Sequence, residues 1–108
     1  MIPNEAVEMA FLYLNNSSEE IAAARANMIR AEYKAKRVFA RMFMAASGSV
    51  EARKAMATDS EEYAEAMERI AIAEETWERM TDQRNRAKLI LEAWRTREAT
   101  ERAVSRSC

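Results

Sequence analysis

The feature that most constrains this chain is the near absence of residues that break helices. Among 108 residues there is one glycine, Gly48, and one proline, Pro3. The turns of β proteins depend on these two residue types, whereas alanine, glutamate, arginine and methionine, which are abundant here, favour helices. The composition therefore predicts an all-α fold, and the chain length predicts a single helical domain over residues 1–108.

Helix-end signals divide the chain into four helical segments. The signals are Pro3 before an acidic first turn, Ser17 with Glu20, Gly48 followed by Ser49, and Asp59 with Glu62. Proline suits a first helical turn because its missing N–H has no partner there, and Ser or Asp three residues before Glu has the spacing of a capping box. Glycine can take the left-handed conformation that closes a helix. We expect helices at about 3–14, 18–47, 50–57 and 60–103.

Both long helices carry apolar residues at alternating spacings of three and four, the pattern of a coiled-coil seam. In the second helix the seam is Ile21, Ala24, Met28, Ala31, Ala35, Val38, Met42 and Ala45. In the last helix it is Tyr63, Ala66, Ile70, Ala73, Trp77, Met80, Arg84, Ala87, Leu91 and Trp94. The two seams predict a long antiparallel helical hairpin, with a short N-terminal helix and a short helix in the connection.

The distribution of charge favours the same antiparallel pairing. Residues 25–41 carry six basic and one acidic side chain (net +5), and residues 61–82 carry two basic and eight acidic side chains (net −6). Residues 1–24 carry four acids and no base (net −4), and residues 84–106 carry seven bases and three acids (net +4). Chain reversal near Arg53 brings opposite blocks together, although exposed pairs contribute only about 0 to 1 kcal/mol each.

Several apolar residues fall outside the two seams. Phe39, Phe43 and Met44 surround the end of the second helix, while Leu89 and Ile90 lie beside the later seam. Two interpretations remain open: the first helix and the 50–57 helix cover these residues within one chain, or they form an interface with a second copy or a protein partner. The candidate interface residues are Phe11, Phe39, Phe43, Met44, Leu89 and Ile90.

Basic residues near the end of the chain form a candidate contact for single-stranded nucleic acid. They are Arg84, Arg86, Lys88, Arg95, Arg97 and Arg102. Arginine binds phosphate with two parallel hydrogen bonds, and a neighbouring tryptophan, Trp94, offers a face for an unpaired base. Against this interpretation, Trp94 lies on the seam, acids stand at helical spacing from the arginines, and the chain has a net charge of −1.

The sequence contains few residues suited to catalysis or to metal binding. Histidine is absent, which removes the commonest general base and the usual zinc ligands. The acids from Glu61 to Glu68 fit a solvated helix face better than a paired active site. We therefore expect no enzyme, no catalytic or metal site and no cofactor.

The position of the single cysteine and the short apolar runs bear on the compartment. Cys108, the last residue, has no partner for an internal disulfide, which favours a reducing environment. The apolar run 9–14 is far too short to span a membrane. We expect a cytoplasmic protein that self-associates, binds a protein partner and has no membrane segment.

Two stretches carry a more specific pattern. The first consists of Gly48, Ser49, Arg53, Ala57, Ser60 and Tyr63, and the second of Trp94, Arg95, Ala99 and Arg102. In these residues the chain resembles a group of small helical proteins encoded by tailed bacteriophages and prophages, often close to genes for single-strand-annealing recombinases. Members of that group end in more closely adjacent arginines than the Arg102 and Ala103 present here.

The resemblance implies a phage accessory protein that acts in the bacterial cytoplasm with the recombination or replication machinery. It does not by itself imply an activity, because a pattern over Gly48 to Tyr63 suits a connection that reverses the chain. The function expected from the sequence is therefore a non-enzymatic helical interaction protein. Single-stranded nucleic-acid binding through the C-terminal arginines is the alternative.

Overall fold

A computed structural model describes residues 3–107 of the chain. In these residues it contains four helices and no strand: α1 (Asn4–Asn16), α2 (Ser18–Ala45), α3 (Val50–Thr58) and α4 (Glu61–Ser107). The all-α fold and the long helical hairpin that the sequence predicts are confirmed. Cys108, on which the expectation about disulfides depended, lies outside the described residues.

The starts of α2 and α3 are as predicted, and the other helix ends depart from the predicted ones by one to four residues. The largest departure is in α4, which continues to Ser107. In contrast, α2 ends at Ala45, two residues early, where the N–H of Ala46 donates to the carbonyls of Met42 and Phe43. The prediction that Ala45 belongs to the seam is wrong, because the helix ends there and its side chain is exposed.

Both predicted capping boxes are also wrong. Ser17 has φ −96° and ψ −2°, not the extended backbone of an N-cap, so the chain passes from α1 into α2 with little interruption. Asp59 ends α3 with φ −88° and ψ 0°, which leaves the capping position to its neighbour. Ser60 takes that role, since its hydroxyl oxygen accepts a hydrogen bond from the N–H of Tyr63 at 3.2 Å.

Two compact units divide the described residues, each with a small core of its own. Unit 1 comprises residues 3–21 and 79–107, so it pairs α1 with the later part of α4. Unit 2 comprises residues 22–78 and contains most of α2, all of α3 and the beginning of α4. The single domain inferred from chain length stays a prediction.

Unit 1 is held together by four small or medium apolar side chains and one arginine. Its buried cluster is Val7, Ala10, Ala87 and Leu91. Below that cluster, Nη1 of Arg84 donates to the carbonyl oxygen of Leu14 at 3.1 Å and to Oγ of Ser17 at 2.8 Å. Ser17 is only 2% exposed, so Arg84 supplies a hydrogen bond that the buried Ser17 hydroxyl would otherwise lack.

Unit 2 pairs α2 with the beginning of α4 through still smaller side chains. Ala35 and Val38 of α2 cluster with Ala66 of α4. Met42, Tyr63 and Ile70 are half-buried and pack against them. The predicted seams are otherwise confirmed, because each seam residue from Ile21 to Met42 and from Tyr63 to Trp94 is buried or half-buried.

The connection in unit 2 reverses the chain through a few specific contacts. Gly48 has φ +111°, and the Ser49 hydroxyl oxygen accepts a hydrogen bond from the N–H of Ala52 at 3.1 Å to start α3. The guanidinium of Arg53 lies 4.3 Å from the ring centroid of Phe43, and its Nε donates to the Phe43 carbonyl at 3.2 Å. Ala57 is fully buried. The reversal therefore lies beside Arg53, where the charge blocks predict it.

Replacement of Gly48 by alanine should destabilise the protein through the backbone alone. A Cβ at this position would meet only the Ala52 side chain, at an ordinary 3.5 Å, but φ of +111° is strained for any L-residue. We expect Gly48→Ala to lower the free energy of unfolding by about 1 to 2 kcal/mol in urea titrations. Ser47→Ala, next to it and exposed, should change it by less than about 0.5 kcal/mol; equal effects would contradict the backbone explanation.

Loss of the Arg84 side chain should cost far more than loss of a nearby exposed arginine. Arg84→Ala removes the donor to Leu14 and Ser17, and hydrogen bonds from a charged donor are worth about 1.5 to 3 kcal/mol. The control is Arg86→Ala, since Arg86 is exposed and pairs with Asp82 one helical turn away at 3.6 Å. Thermal unfolding of the two variants should separate them by several degrees; similar midpoints would show that the Arg84 contacts contribute little.

Candidate interaction surfaces

A shallow apolar groove lies between α2 and α4 in unit 2, and we name it the α2–α4 groove. Its lining is Glu32, Ala35, Lys36, Phe39, Tyr63, Met67 and Ile70, and its volume is about 480 Å³. Phe39 and Tyr63 meet edge to face, with ring centroids 5.3 Å apart and ring planes at 65°. Met67 stays 45% exposed. The groove therefore presents aromatic and thioether surface to solvent, flanked by one exposed acid and one exposed base.

The alanines of the seam explain why this groove is open. Ala35 and Ala66 allow the two helices to approach closely, but their methyl groups do not extend past the line of contact. The larger side chains next to them, Phe39 and Met67, consequently cover the flank of the contact and are only partly buried themselves.

The predicted interface residues of unit 2 differ in their surroundings. Phe39 is half-buried in the α2–α4 groove, and Phe43 is half-buried beneath the Arg53 guanidinium. Met44 is 78% exposed. Of the two interpretations, cover within the same chain applies to Phe43, which α3 covers. Met44 and the α2–α4 groove stay open to solvent.

The predicted interface residues of unit 1 divide in the same way. Ile90 packs against the buried cluster that α1 forms with α4. Phe11 is 46% exposed and touches Trp94 edge to face at 6.3 Å, whereas Leu89 is 63% exposed. The six candidates thus belong to two units, three in each, and in each unit some of them are half-buried against their own chain.

Most of the C-terminal basic residues hold partners in their own chain. Arg84 binds Leu14 and Ser17, Arg86 pairs with Asp82, and Arg97 pairs with Glu101 at 3.2 Å. Nε of Arg102 donates to the Glu98 carbonyl at 3.3 Å. Arg84 is the clearest case, because its guanidinium is used to join α1 to α4 and is not available to a phosphate.

The basic residues near the end of the chain are also spread around α4. Lys88, Arg95 and Arg102 stand seven residues apart and so share one face of α4, but Arg86 and Arg97 are each two residues away from that line and point to the other side. Trp94 is half-buried against the unit 1 core, as expected for a seam residue. The structure therefore does not bring the six predicted contact residues and the tryptophan together.

A more concentrated basic surface lies along one side of α2. Arg30, Lys34, Arg37 and Arg41 follow spacings of four, three and four, which places them within a sector of about 60° on the helix. They line a shallow depression together with Tyr33, Ala40 and Met44. Tyr33 is 67% exposed. We name these seven residues the α2 basic face.

The bases of this face are mostly unpaired. Among residues 3–107, Lys34, Arg37 and Arg41 have no acid within the 4.0 Å limit of an ion pair. Sequence reasoning counted these bases only as partners of the acidic block in α4 and so missed the face. The signal that identifies it is the spacing of three and four among the bases themselves.

Carboxylates of unit 2 are distributed along a helix and do not converge. Glu61, Glu62, Glu65 and Glu68 are all exposed. Glu62 and Glu65 line a small cleft with Lys34 and Arg41, so the acidic and basic blocks lie side by side in this unit. Within residues 3–107, no group of three or more acids is arranged to hold a metal ion. No helix in the same range combines the length and apolar character that a membrane span requires.

Comparisons with protein-family models, with curated proteins and with solved structures found no match to this chain. The resemblance to small helical phage proteins therefore stays a prediction. Its first stretch coincides with residues that build the connection. Gly48 turns the chain, Ser49 caps α3 and Arg53 covers Phe43. Ala57 is buried, Ser60 caps α4 and Tyr63 lines the α2–α4 groove. These residues have a structural explanation that does not depend on any activity.

Proposed function

We propose that this chain is a non-enzymatic helical accessory protein that works by presenting helix faces to itself and to a protein partner. The observation that carries the proposal is the α2–α4 groove, where Phe39, Tyr63 and Met67 keep apolar surface open to solvent. Covering such surface is favourable by about 25 cal/mol per Å² removed from water. A groove between two packed helices is also the surface into which an amphipathic helix fits.

The cellular setting of this proposal comes from the resemblance to phage-encoded helical proteins. On that basis the protein acts in the bacterial cytoplasm, and its partner belongs to the recombination or replication machinery. The groove adds a chemical requirement, because it takes an apolar helix face with charged residues at its borders. A strongly charged partner segment without apolar residues would not fit it.

Substitution at the centre of the groove tests this function. We expect the purified protein to be larger than its 12.4 kDa monomer in sedimentation, or to bind an environment-sensitive apolar dye, or both. Met67→Glu should abolish the association or the dye binding, because it introduces a charge beside Phe39 and Tyr63. Ile72→Glu is the control, since Ile72 is 56% exposed on the same helix but does not line the groove.

The result that contradicts the proposal is a monodisperse monomer that binds no apolar dye. Equal loss of association in Met67→Glu and Ile72→Glu would also contradict it, since the groove would then have no special role. Circular dichroism of both variants serves as the check that the helices remain folded. A folded Met67→Glu variant with unchanged association assigns self-association to another surface.

A second candidate function, single-stranded nucleic-acid binding, is favoured by the α2 basic face. Its four bases lie on one side of one helix, and an exposed tyrosine beside them offers a stacking surface for an unpaired base. A basic stripe along a helix is the electrostatic footprint of nucleic-acid binding. This face suits the role better than the dispersed C-terminal arginines.

Labelled single-stranded DNA tests the second candidate by fluorescence anisotropy. If four phosphates are neutralised, the logarithm of the binding constant should fall with the logarithm of salt concentration with a slope of about −2.8. Arg37→Ala should weaken binding and reduce the slope by about 0.7, while Arg95→Ala should change neither. No binding at low salt excludes the candidate, and a loss confined to Arg95→Ala returns the site to the C-terminal residues.

A further inference from the structure

A second stripe of residues runs along α2 beside the one that packs against α4. It consists of Ile29, Glu32, Lys36, Phe39 and Phe43, again at spacings of three and four. Each member directly follows a seam residue, so the stripe lies about 100° round the helix from the buried one. Ile29 is 42% exposed, and Glu32 and Lys36 are exposed. The stripe has the periodicity of a packing seam and is largely uncovered.

The beginning of α4 carries a matching stripe on the same side of unit 2. It consists of Ala64, Met67 and Ala71, and all three are exposed. Met67 lines the α2–α4 groove together with Lys36 and Phe39, which fixes the side on which the two stripes meet. Alanines at exposed positions on either side of one methionine allow another helix to approach closely.

The two stripes are symmetric about one level of the hairpin. In α2, Glu32 and Lys36 lie two residues on either side of position 34, and Ile29 and Phe39 lie five residues on either side. In α4, Ala64 lies three residues before Met67 and Ala71 lies four residues after it, so the two alanines flank Met67 at nearly equal distances. Position 34 lies close to the level of Met67, because Ala35 and Ala66 share one buried cluster and the Phe39 ring meets the Tyr63 ring.

We propose that a second copy of this chain covers the α2–α4 groove, with a twofold axis that passes at Met67 and crosses the helices. The proposal rests on the proposed function and names the occupant of its groove. About this axis α2 lies antiparallel to α2 of the second copy, and α4 lies antiparallel to α4. Unit 2 of each copy contributes two helices to an antiparallel four-helix arrangement, which is closed because both copies use the same patch.

The charges and apolar residues select this axis. Glu32 of each copy faces Lys36 of the other, so two opposite-charge pairs form, and Ile29 of each copy faces Phe39 of the other. Met67 meets Met67, with flanking alanines that permit close contact. An axis parallel to the helices would place α2 against α4 of the other copy, and Glu32 and Lys36 would then lack these partners.

Cysteine placed on the axis tests the proposal directly. In a Cys108→Ser background, Met67→Cys should oxidise to a covalent dimer of twice 12.4 kDa on a non-reducing gel, because the two sulfurs meet across the axis. Ile72→Cys in the same background is the matched control, since Ile72 is exposed on α4 but away from the groove. Equal rates of cross-linking in the two variants would overturn the proposal.

Charge exchange provides a second measurement that does not depend on cysteine geometry. Glu32→Lys alone and Lys36→Glu alone should each raise the dimer dissociation constant about tenfold, because each replaces two attractive pairs by two repulsive ones. The double variant Glu32→Lys with Lys36→Glu should restore the original constant. Failure of the double variant to restore dimerisation overturns the proposed axis.

The outcomes separate this inference from the function on which it rests. If Met67→Cys does not cross-link preferentially and the double variant does not restore association, but Met67→Glu still abolishes binding of dye or of a protein partner, the groove binds another molecule and the second copy is excluded. If the wild-type protein is a monomer that binds no dye, the interaction function itself fails.

Discussion

Close approach of helices through alanine is the constraint on which the rest of this structure depends. The buried apolar residues are mostly alanine and valine, and within residues 3–107 no large side chain is fully buried. Such a core holds two helices at short distance but encloses little apolar volume, so each unit obtains only modest stabilisation from burial. The aromatic and methionine side chains are consequently displaced to the flanks, where they remain partly open. The α2–α4 groove and the exposed Met44 and Leu89 follow from this arrangement.

A thin core also explains why two arginines have become structural. Arg84 satisfies a buried serine and a carbonyl at the end of α1, and Arg53 covers the face of Phe43 in the connection. In both places a long side chain with an apolar stem and several donors supplies contacts that packed apolar side chains would supply in a larger core. The arginines of this chain are therefore not equivalent, since those of the α2 basic face are exposed whereas Arg53 and Arg84 are half-buried.

The long elements were predictable because a spacing of three and four over many turns leaves few alternatives to a paired helix. Ends were less predictable, because Ser17 and Asp59 have side chains suited to caps but backbones fixed by neighbouring contacts. The spacing places Phe39 outside the seam and Tyr63 and Ile70 on it, but it gives no sign that Met67 joins them in a groove. Spacing gives the direction of a side chain but not how much of it a small neighbour such as Ala66 leaves uncovered, so the groove itself was beyond sequence reasoning.

The contacts of the two units differ greatly in the length of chain they enclose. In the connection, Ser60 binds Ala57 and Arg53 binds Phe43, over three and ten residues, whereas Tyr13 binds Gln83 and Arg84 binds Ser17 across 70 and 67 residues. The entropy lost on closing a loop rises with its length, so the contacts around the turn form at lower cost than those that join the first helix to the end of the last. Folding that starts at the turn therefore forms the α2–α4 groove before α1 meets the later part of α4.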